Sequence, residues 1–273
     1  MPETPSSQYP FLKGHGTEND FVLLPDHDGS LHGDLSEQQM AERVRALCDR
    51  RAGIGGDGVL RVVREGDRWF MDYRNADGSL SEMCGNGIRV FARHLVEEGL
   101  ADPSRPIPIG TRDGVKTLTV EGDLITADMG SPRVLGESKV AVPGHAWVAR
   151  HVDMGNPHAV AFVDSLDDAG TLLEAPEHDA ATYPDGVNVE FVVRRGERHV
   201  AMRVHERGSG ETRSCGTGAC AVMVAAAVAD GLGPGSAYRV DVPGGTLTVT
   251  WTEDDRVLLT GPAVVVARGT TSL

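Results

Sequence analysis

A short cysteine–glycine signature occurs twice in this chain, and it constrains the fold more than any other feature. Met83-Cys84-Gly85-Asn86-Gly87 and Ser214-Cys215-Gly216-Thr217-Gly218 each open an apolar segment with helical spacing. The surroundings repeat too. Asn75 lies nine residues before Cys84, and Glu206 lies nine residues before Cys215. Farther upstream, Asp57-Gly58-Val59 and Asp185-Gly186-Val187 begin matching strand segments. Before those, Gly16-Thr17-Glu18-Asn19-Asp20-Phe21 is echoed by Gly155-Asn156-Pro157-His158. Four echoes in one order imply two homologous halves. They divide the chain into an N-terminal half over 1–130 and a C-terminal half over 131–260.

Short alternating apolar segments dominate both halves. Strands are expected at Phe21 to Leu24, Val59 to Val63, Trp69 to Tyr73, Thr117 to Val120 and Leu124 to Ala127. The second half adds Trp147 to Val152, Ala159 to Val163, Val187 to Val193 and Val200 to Val204. Tyr238 to Val242, Leu247 to Trp251 and Val257 to Leu259 complete the set. Three helices are expected. Ser36 to Arg50 is amphipathic, with Met40, Val44 and Leu47 facing inward. Gly87 to Glu98 and Gly218 to Asp230 are interior helices, and the second is apolar all round. The expected fold is α+β: two pseudo-symmetric halves, each a mixed or antiparallel sheet wrapped around a central buried helix.

The repeated signature has a chemical reading. Glycines at a helix head let a ligand approach the unpaired backbone N–H groups, which with the helix dipole attract an anion such as a carboxylate. A cysteine at the same place has its thiolate favoured by the same field. A thiol of pKa near 8.5 is only about 3% ionised at pH 7, and lowering it to about 7 requires ~2 kcal/mol. One helix terminus is worth up to ~2 kcal/mol, so the field alone is expected to activate each sulfur. His158 and Glu206 stand where they adjust the balance. Two thiols facing one carbon from opposite sides invert it, one removing a proton and the other returning one.

Each feature also has a plainer reading. A single buried cysteine is usually a small hydrophobe, and Cys48 and Cys220 are read that way. The matched glycine frames set Cys84 and Cys215 apart. His158 stands between packing after Pro157 and a role beside the thiols. Gly53-x-Gly55-x-x-Gly58 matches a dinucleotide fingerprint in letters, but it follows a helix and precedes a strand, the reverse of what pyrophosphate binding needs. No Cys-x-x-Cys or His-Glu-x-x-His spacing is present, so no metal site is expected. A cysteine hydrolase pairing one thiol with His158 leaves the second signature without a purpose. The formal charge of -14 disfavours nucleic acid and anionic membrane surfaces as partners. With no signal-peptide pattern at Met1 and no apolar run near the roughly 20 residues of a spanning helix, a soluble cytoplasmic protein is expected.

These residues resemble the diaminopimelate epimerases. The similarity rests on Gly14-His15-Gly16-Thr17-Glu18-Asn19-Asp20-Phe21, Tyr73-Arg74-Asn75-Ala76-Asp77-Gly78 and Met83 to Gly87. In the second half it rests on Gly155-Asn156-Pro157-His158, Gly186-Val187-Asn188 and the stretch from His205-Glu206-Arg207-Gly208 to Gly218. The resemblance implies interconversion of LL- and meso-2,6-diaminopimelate without pyridoxal phosphate, metal or any other cofactor, in lysine and peptidoglycan precursor synthesis. It implies that Cys84 and Cys215 form the acid–base pair, tuned by His158 and Glu206. Gly85, Asn86, Gly216 and Thr217 would hold the reacting carboxylate. Asn19, Asn75, Asn156, Asn188, Glu206 and Arg207 would contact the ammonium groups and distal carboxylate, a role that suits a bidentate guanidinium. It further implies a homodimer, and a final strand over 261–273 that returns to the N-terminal half. Many relatives carry glutamine where this chain has Gly58. Epimerisation of another amino acid, such as proline or hydroxyproline, is the competing reading; proline racemases typically have histidine in place of Asn86.

Overall fold

The computed structural model describes residues 8–273. By contact density the chain falls into two compact units. The first comprises Met1–Ala127 with Pro262–Leu273, and the second comprises Asp128–Gly261.

In the first unit, β1 (Tyr9–Gly16) and β2 (Asn19–Pro25) form a tight hairpin whose two turn residues, Thr17 and Glu18, both have positive φ, 48° and 62°. That turn twists the way the strands do, and it sets Asn19 at the strand's first position. Helix α1 (Glu37–Cys48) follows, capped by a reciprocal box between Ser36 and Gln39, with Met40, Val44 and Leu47 buried as expected. Its sequel clarifies the glycines of Gly53-x-Gly55-x-x-Gly58. A Cβ at Gly53 would lie 2.0 Å from the Ala46 carbonyl oxygen, and Gly55 has φ of +80°. They close the chain back against the end of α1.

β3 (Gly58–Glu65) and β4 (Arg68–Asn75) lead to α2 (Gly85–Glu97). After the helix come β5 (Ile107–Thr111), β6 (Gly114–Glu121) and β7 (Leu124–Asp128). The sheet is completed from the far end of the chain, because β18 (Val264–Thr271) pairs antiparallel with β1. Its order is β18-β1-β2-β3-β4-β5-β6-β7, with β2–β3 and β4–β5 parallel and the other neighbours antiparallel.

The second unit repeats this plan. β8 (Arg133–Val142), β9 (His145–Asp153) and β10 (Pro157–Phe162) are followed by the short β11 (Glu177–His178). Next come β12 (Asn188–Gly196), β13 (His199–Glu206) and β14 (Gly210–Thr212), which open onto α3 (Gly216–Ala229). β15 (Ser236–Val242), β16 (Gly245–Trp251) and β17 (Val257–Pro262) close it. The main order is β8-β9-β10-β12-β13-β15-β16-β17, parallel again only at β10–β12 and β13–β15. Strand for strand and polarity for polarity, the two sheets agree. The α+β fold of two pseudo-symmetric halves is as the repeat implied.

Each sheet curls around its helix. α2 packs against β1, β2, β3 and β18, while α3 packs against β9, β10, β12, β13, β15 and β16. α3 carries no charged residue, and its side chains from Gly218 to Ala227 are buried. α2 is buried almost as fully but holds Arg89 and His94 inside. Among the described residues no helix is long and apolar enough to cross a membrane.

Candidate active site

Both signature cysteines are helix N-caps. Cys84 caps α2 from an extended backbone, φ -137° and ψ 120°, and its sulfur accepts the Gly87 N–H at 3.4 Å. Cys215 caps α3 with φ -117° and ψ 117°, and its sulfur accepts the Gly218 N–H at 3.3 Å. The helices begin two residues earlier than the apolar pattern suggested, at Gly85 and Gly216. Each cysteine therefore occupies a position usually held by serine, threonine, aspartate or asparagine, where a side-chain acceptor satisfies an orphan N–H. The sulfur is held against the first turn by the backbone itself.

Sheet register shows which residues of the two units correspond. Phe21 pairs with Gly58 as His158 pairs with Asn188. Asn19 thus matches Asn156, and Leu60 matches Glu190. Gly58 is the counterpart of Asn188, so the first unit lacks the amide that the second has there.

Around Cys84, Asn19 is central. Its Oδ1 lies 3.6 Å from the Cys84 sulfur and accepts from Asn86 Nδ2 at 3.1 Å. Its Nδ2 donates to Asp57 Oδ2 at 2.7 Å, and Arg50 donates to the other Asp57 oxygen at 2.7 Å. Asp57 thereby fixes which way the Asn19 amide faces. Asn86 Oδ1 in turn accepts from the buried Arg89 guanidinium at 2.9 Å. Asn75 is engaged nearby in the fold, accepting from Tyr73 Oη at 2.9 Å and donating to Ser79 Oγ at 3.0 Å.

Around Cys215 the groups form a line. The Cys215 sulfur is 3.6 Å from Thr217 Oγ1, and Asn156 Nδ2 donates to that hydroxyl at 3.5 Å. Asn156 Oδ1 is 2.9 Å from His158 Nε2, and His158 Nδ1 is 2.6 Å from Glu190 Oε1. His158 and Glu190 are both fully buried. Asn188 donates to the Pro157 carbonyl oxygen at 3.1 Å and accepts the Arg207 N–H at 3.0 Å. The Arg207 guanidinium donates to the Asp185 carbonyl oxygen at 3.1 Å. Glu206 accepts from the Thr212 hydroxyl.

The expectation that the helix field lowers each thiol needs correction at Cys215. Burial pushes this thiol well up, and the nearby Glu206 and Glu190 carboxyls push it further; Thr217 and the Gly218 N–H pull the other way by less. Desolvation of a thiolate in a site this enclosed outweighs one helix terminus. Cys215 rests as a thiol. Cys48 is buried on the inner face of α1 and pushed up to about 12 by that burial, and Cys220 is fully buried, so both behave as core residues.

The sequence reading missed Glu190 and Asp57. Glu190 had a signal: it is the one acid inside Val187-Asn188-Val189-Glu190-Phe191-Val192-Val193, in phase with Asn188 at period two. Asp57 had only its echo in Asp185, and the register corrects that echo by two residues, setting Gly58 level with Asn188 and Asp57 level with Val187.

Glu190 also makes Gly218 indispensable. A Cβ there would sit 2.8 Å from Glu190 Oε1 and 3.2 Å from the Cys215 sulfur. At Gly87 the nearest groups would be Leu60, Phe21 and Cys84, at 3.3 to 3.4 Å. Gly218→Ala is expected to lower unfolding free energy in urea by about 1–3 kcal/mol, and Gly87→Ala by clearly less. Any gain in helix propensity is common to both. Equal losses would dissolve the distinction.

Comparison with known proteins fits this geometry. The diaminopimelate epimerase family model matches residues 11–135 and 150–266. The chain is 56% identical over 284 residues to the diaminopimelate epimerase of Streptomyces coelicolor, covering 97% of this chain and 96% of the relative. It is 47% identical over 277 residues to that of Corynebacterium glutamicum, covering 95% and 97%. Among solved structures, a phenazine biosynthesis protein of the PhzF family from Bacillus anthracis superposes with a TM-score of 0.71 at 16% identity, covering 97% of this chain and 99% of the other. A hydroxyproline epimerase from Agrobacterium vitis gives 0.71 at 15%, covering 99% and 94%. At such identities these two structures speak for the fold alone.

Proposed function

The chain belongs to the diaminopimelate epimerase family, and from that premise we propose that it interconverts LL- and meso-2,6-diaminopimelate by passing the α-proton between Cys84 and Cys215. The observation that carries the reading is the duplicated cysteine N-cap, each sulfur accepting an N–H from the first turn of a buried helix.

In one direction the Cys84 thiolate takes the α-proton. The electron pair of the broken C–H bond is left on the α-carbon and spreads into the adjoining carboxylate. The Cys215 thiol then gives its proton to the opposite face. Carbon has inverted, the two sulfurs have exchanged protonation states, and no electron has been gained or lost. The opposite direction runs with the roles reversed. The first-turn N–H groups around Gly85, Asn86, Gly216 and Thr217 suit the reacting carboxylate, where donors aimed at developing charge act most strongly. His158 and Glu206 adjust the thiols. Asn19, Asn75, Asn156, Asn188, Glu206 and Arg207 are assigned to the ammonium groups and the distal carboxylate. No cofactor or metal has a part in this scheme. Cytoplasmic location and a homodimer belong to the same reading and rest on family membership.

The test is incubation with LL-diaminopimelate in deuterium oxide, followed at the α-carbon by NMR. Deuterium should appear in meso product, one per inversion. Recovery of unchanged LL substrate with its α-hydrogen intact, from a folded and reduced protein, would refute the assignment.

A further inference from the structure

The two half-sites share a backbone but not an interior. Beneath the head of α2, the positions nearest Gly87 are Phe21 and Leu60, both apolar. The corresponding positions beneath α3 are His158 and Glu190, joined by a 2.6 Å contact and both out of reach of solvent. A charged or protonated pair in a protein interior is costly unless it has a task. Here one oxygen, Glu190 Oε2, is buried with no hydrogen-bond partner among the described residues. Such an orphan in a buried pair points to a function.

We propose that Glu190 is a positioning residue that makes the two cysteines unequal: anchored to His158 under the first turn of α3, it keeps Cys215 the resting proton donor and leaves Cys84 as the resting base. This rests on the proton-transfer reading above and assigns the order of roles within it. Glu190 reaches Cys215 by two routes. One is the line through His158, Asn156 and Thr217. The other is directly across Gly218, whose missing Cβ leaves carboxyl and sulfur flanking the same point. Phe21 and Leu60 offer Cys84 neither route.

The charges around the pair are consistent with this. Burial raises the Glu190 carboxyl, with His158 opposing. Glu206 is the other acid acting on Cys215, and α3 contributes no charge of its own. Tyr183 feels Glu190, and His151 feels His158.

The experiment titrates the protein carrying ¹³Cβ-labelled cysteine by NMR, reading each thiol-to-thiolate midpoint without substrate. Assignment uses single Cys→Ser variants. In the unmodified protein the Cys84 midpoint should lie below that of Cys215. In Glu190→Gln the Cys215 midpoint should fall by about one pH unit, a tenfold rise in the thiolate-to-thiol ratio, while Cys84 stays in place. Glu190→Asp should restore most of the separation. Overturning results are a Cys215 midpoint at or below that of Cys84 in the unmodified protein, or equal displacement of both in Glu190→Gln. If Glu190→Gln fails to fold, the order of midpoints in the unmodified protein decides alone. Because no substrate is present, failure here leaves the deuterium experiment untouched, and failure there leaves this titration readable.

Discussion

Cys84→Ala and Cys215→Ala are each expected to lower kcat/KM for diaminopimelate by about 10³-fold or more, the range of a lost general acid or base. The two sulfurs act as a unit, so the double variant should be little worse than either single one. The remaining chemistry should differ from that of a merely misfolded protein. With one thiol left, a proton can still be taken from one face and returned to that face. Each single variant should then exchange the α-hydrogen of one stereoisomer for deuterium without inverting it, and the two variants should choose opposite stereoisomers. The helix-head N–H groups are unchanged, so substrate should still raise the melting temperature. Normal turnover in either variant would remove that cysteine from the reaction.

The second large effect concerns acid stability. His32 and His94 are buried in the first unit, and burial lowers both to about 4. His32 Nδ1 lies 2.8 Å from the Arg43 guanidinium, which only donates, so that ring nitrogen must be the acceptor of a neutral imidazole. No hydrogen bond reaches either ring nitrogen of His94 among the described residues. A histidine depressed on folding lends stability that is present above its unfolded pKa near 6.5 and is lost as pH falls toward 4. Each ring accounts for roughly 3 kcal/mol over that window. His94→Leu should therefore lose roughly 2–3 kcal/mol less stability than the parent between pH 7.5 and pH 4.5 in urea titrations. Parallel losses in the two proteins would show that His94 titrates freely in the fold.

How much of this was legible in the sequence varied with the kind of signal. The helices were plain because their apolar spacing is long and regular. Central strands such as β3, β12 and β16 alternate or run apolar, and they were equally plain. β1 was hidden because Tyr9-Pro10-Phe11-Leu12-Lys13-Gly14-His15-Gly16 mixes proline and glycine, and its pairing with β18 is bulged between Lys13 and Gly14. Its hairpin turn uses Thr17-Glu18, which lacks the asparagine or glycine that announces two positive φ angles. β8 was hidden for the opposite reason: it is largely exposed, so burial imposes no pattern on it. The cysteine frames were readable because a repeat doubles every coincidence. The repeat gave no pointer to Glu190, whose only signal was its place as the one acid in an apolar strand, since a repeat points to what two halves share and this residue lies where they differ.

The return of β18 to the first sheet has a consequence for how such a chain matures. A polypeptide emerging from the ribosome exposes β1 early, yet the strand that flanks it is made some 250 residues later. The Tyr9 hydroxyl even donates to the carbonyl oxygen of Leu273. The second unit has all its strands to hand as soon as β17 is out, while the first holds an open edge until β18 has followed. Order of synthesis and order of completion are reversed, and the nascent N-terminal region is the one that chaperones would be expected to guard.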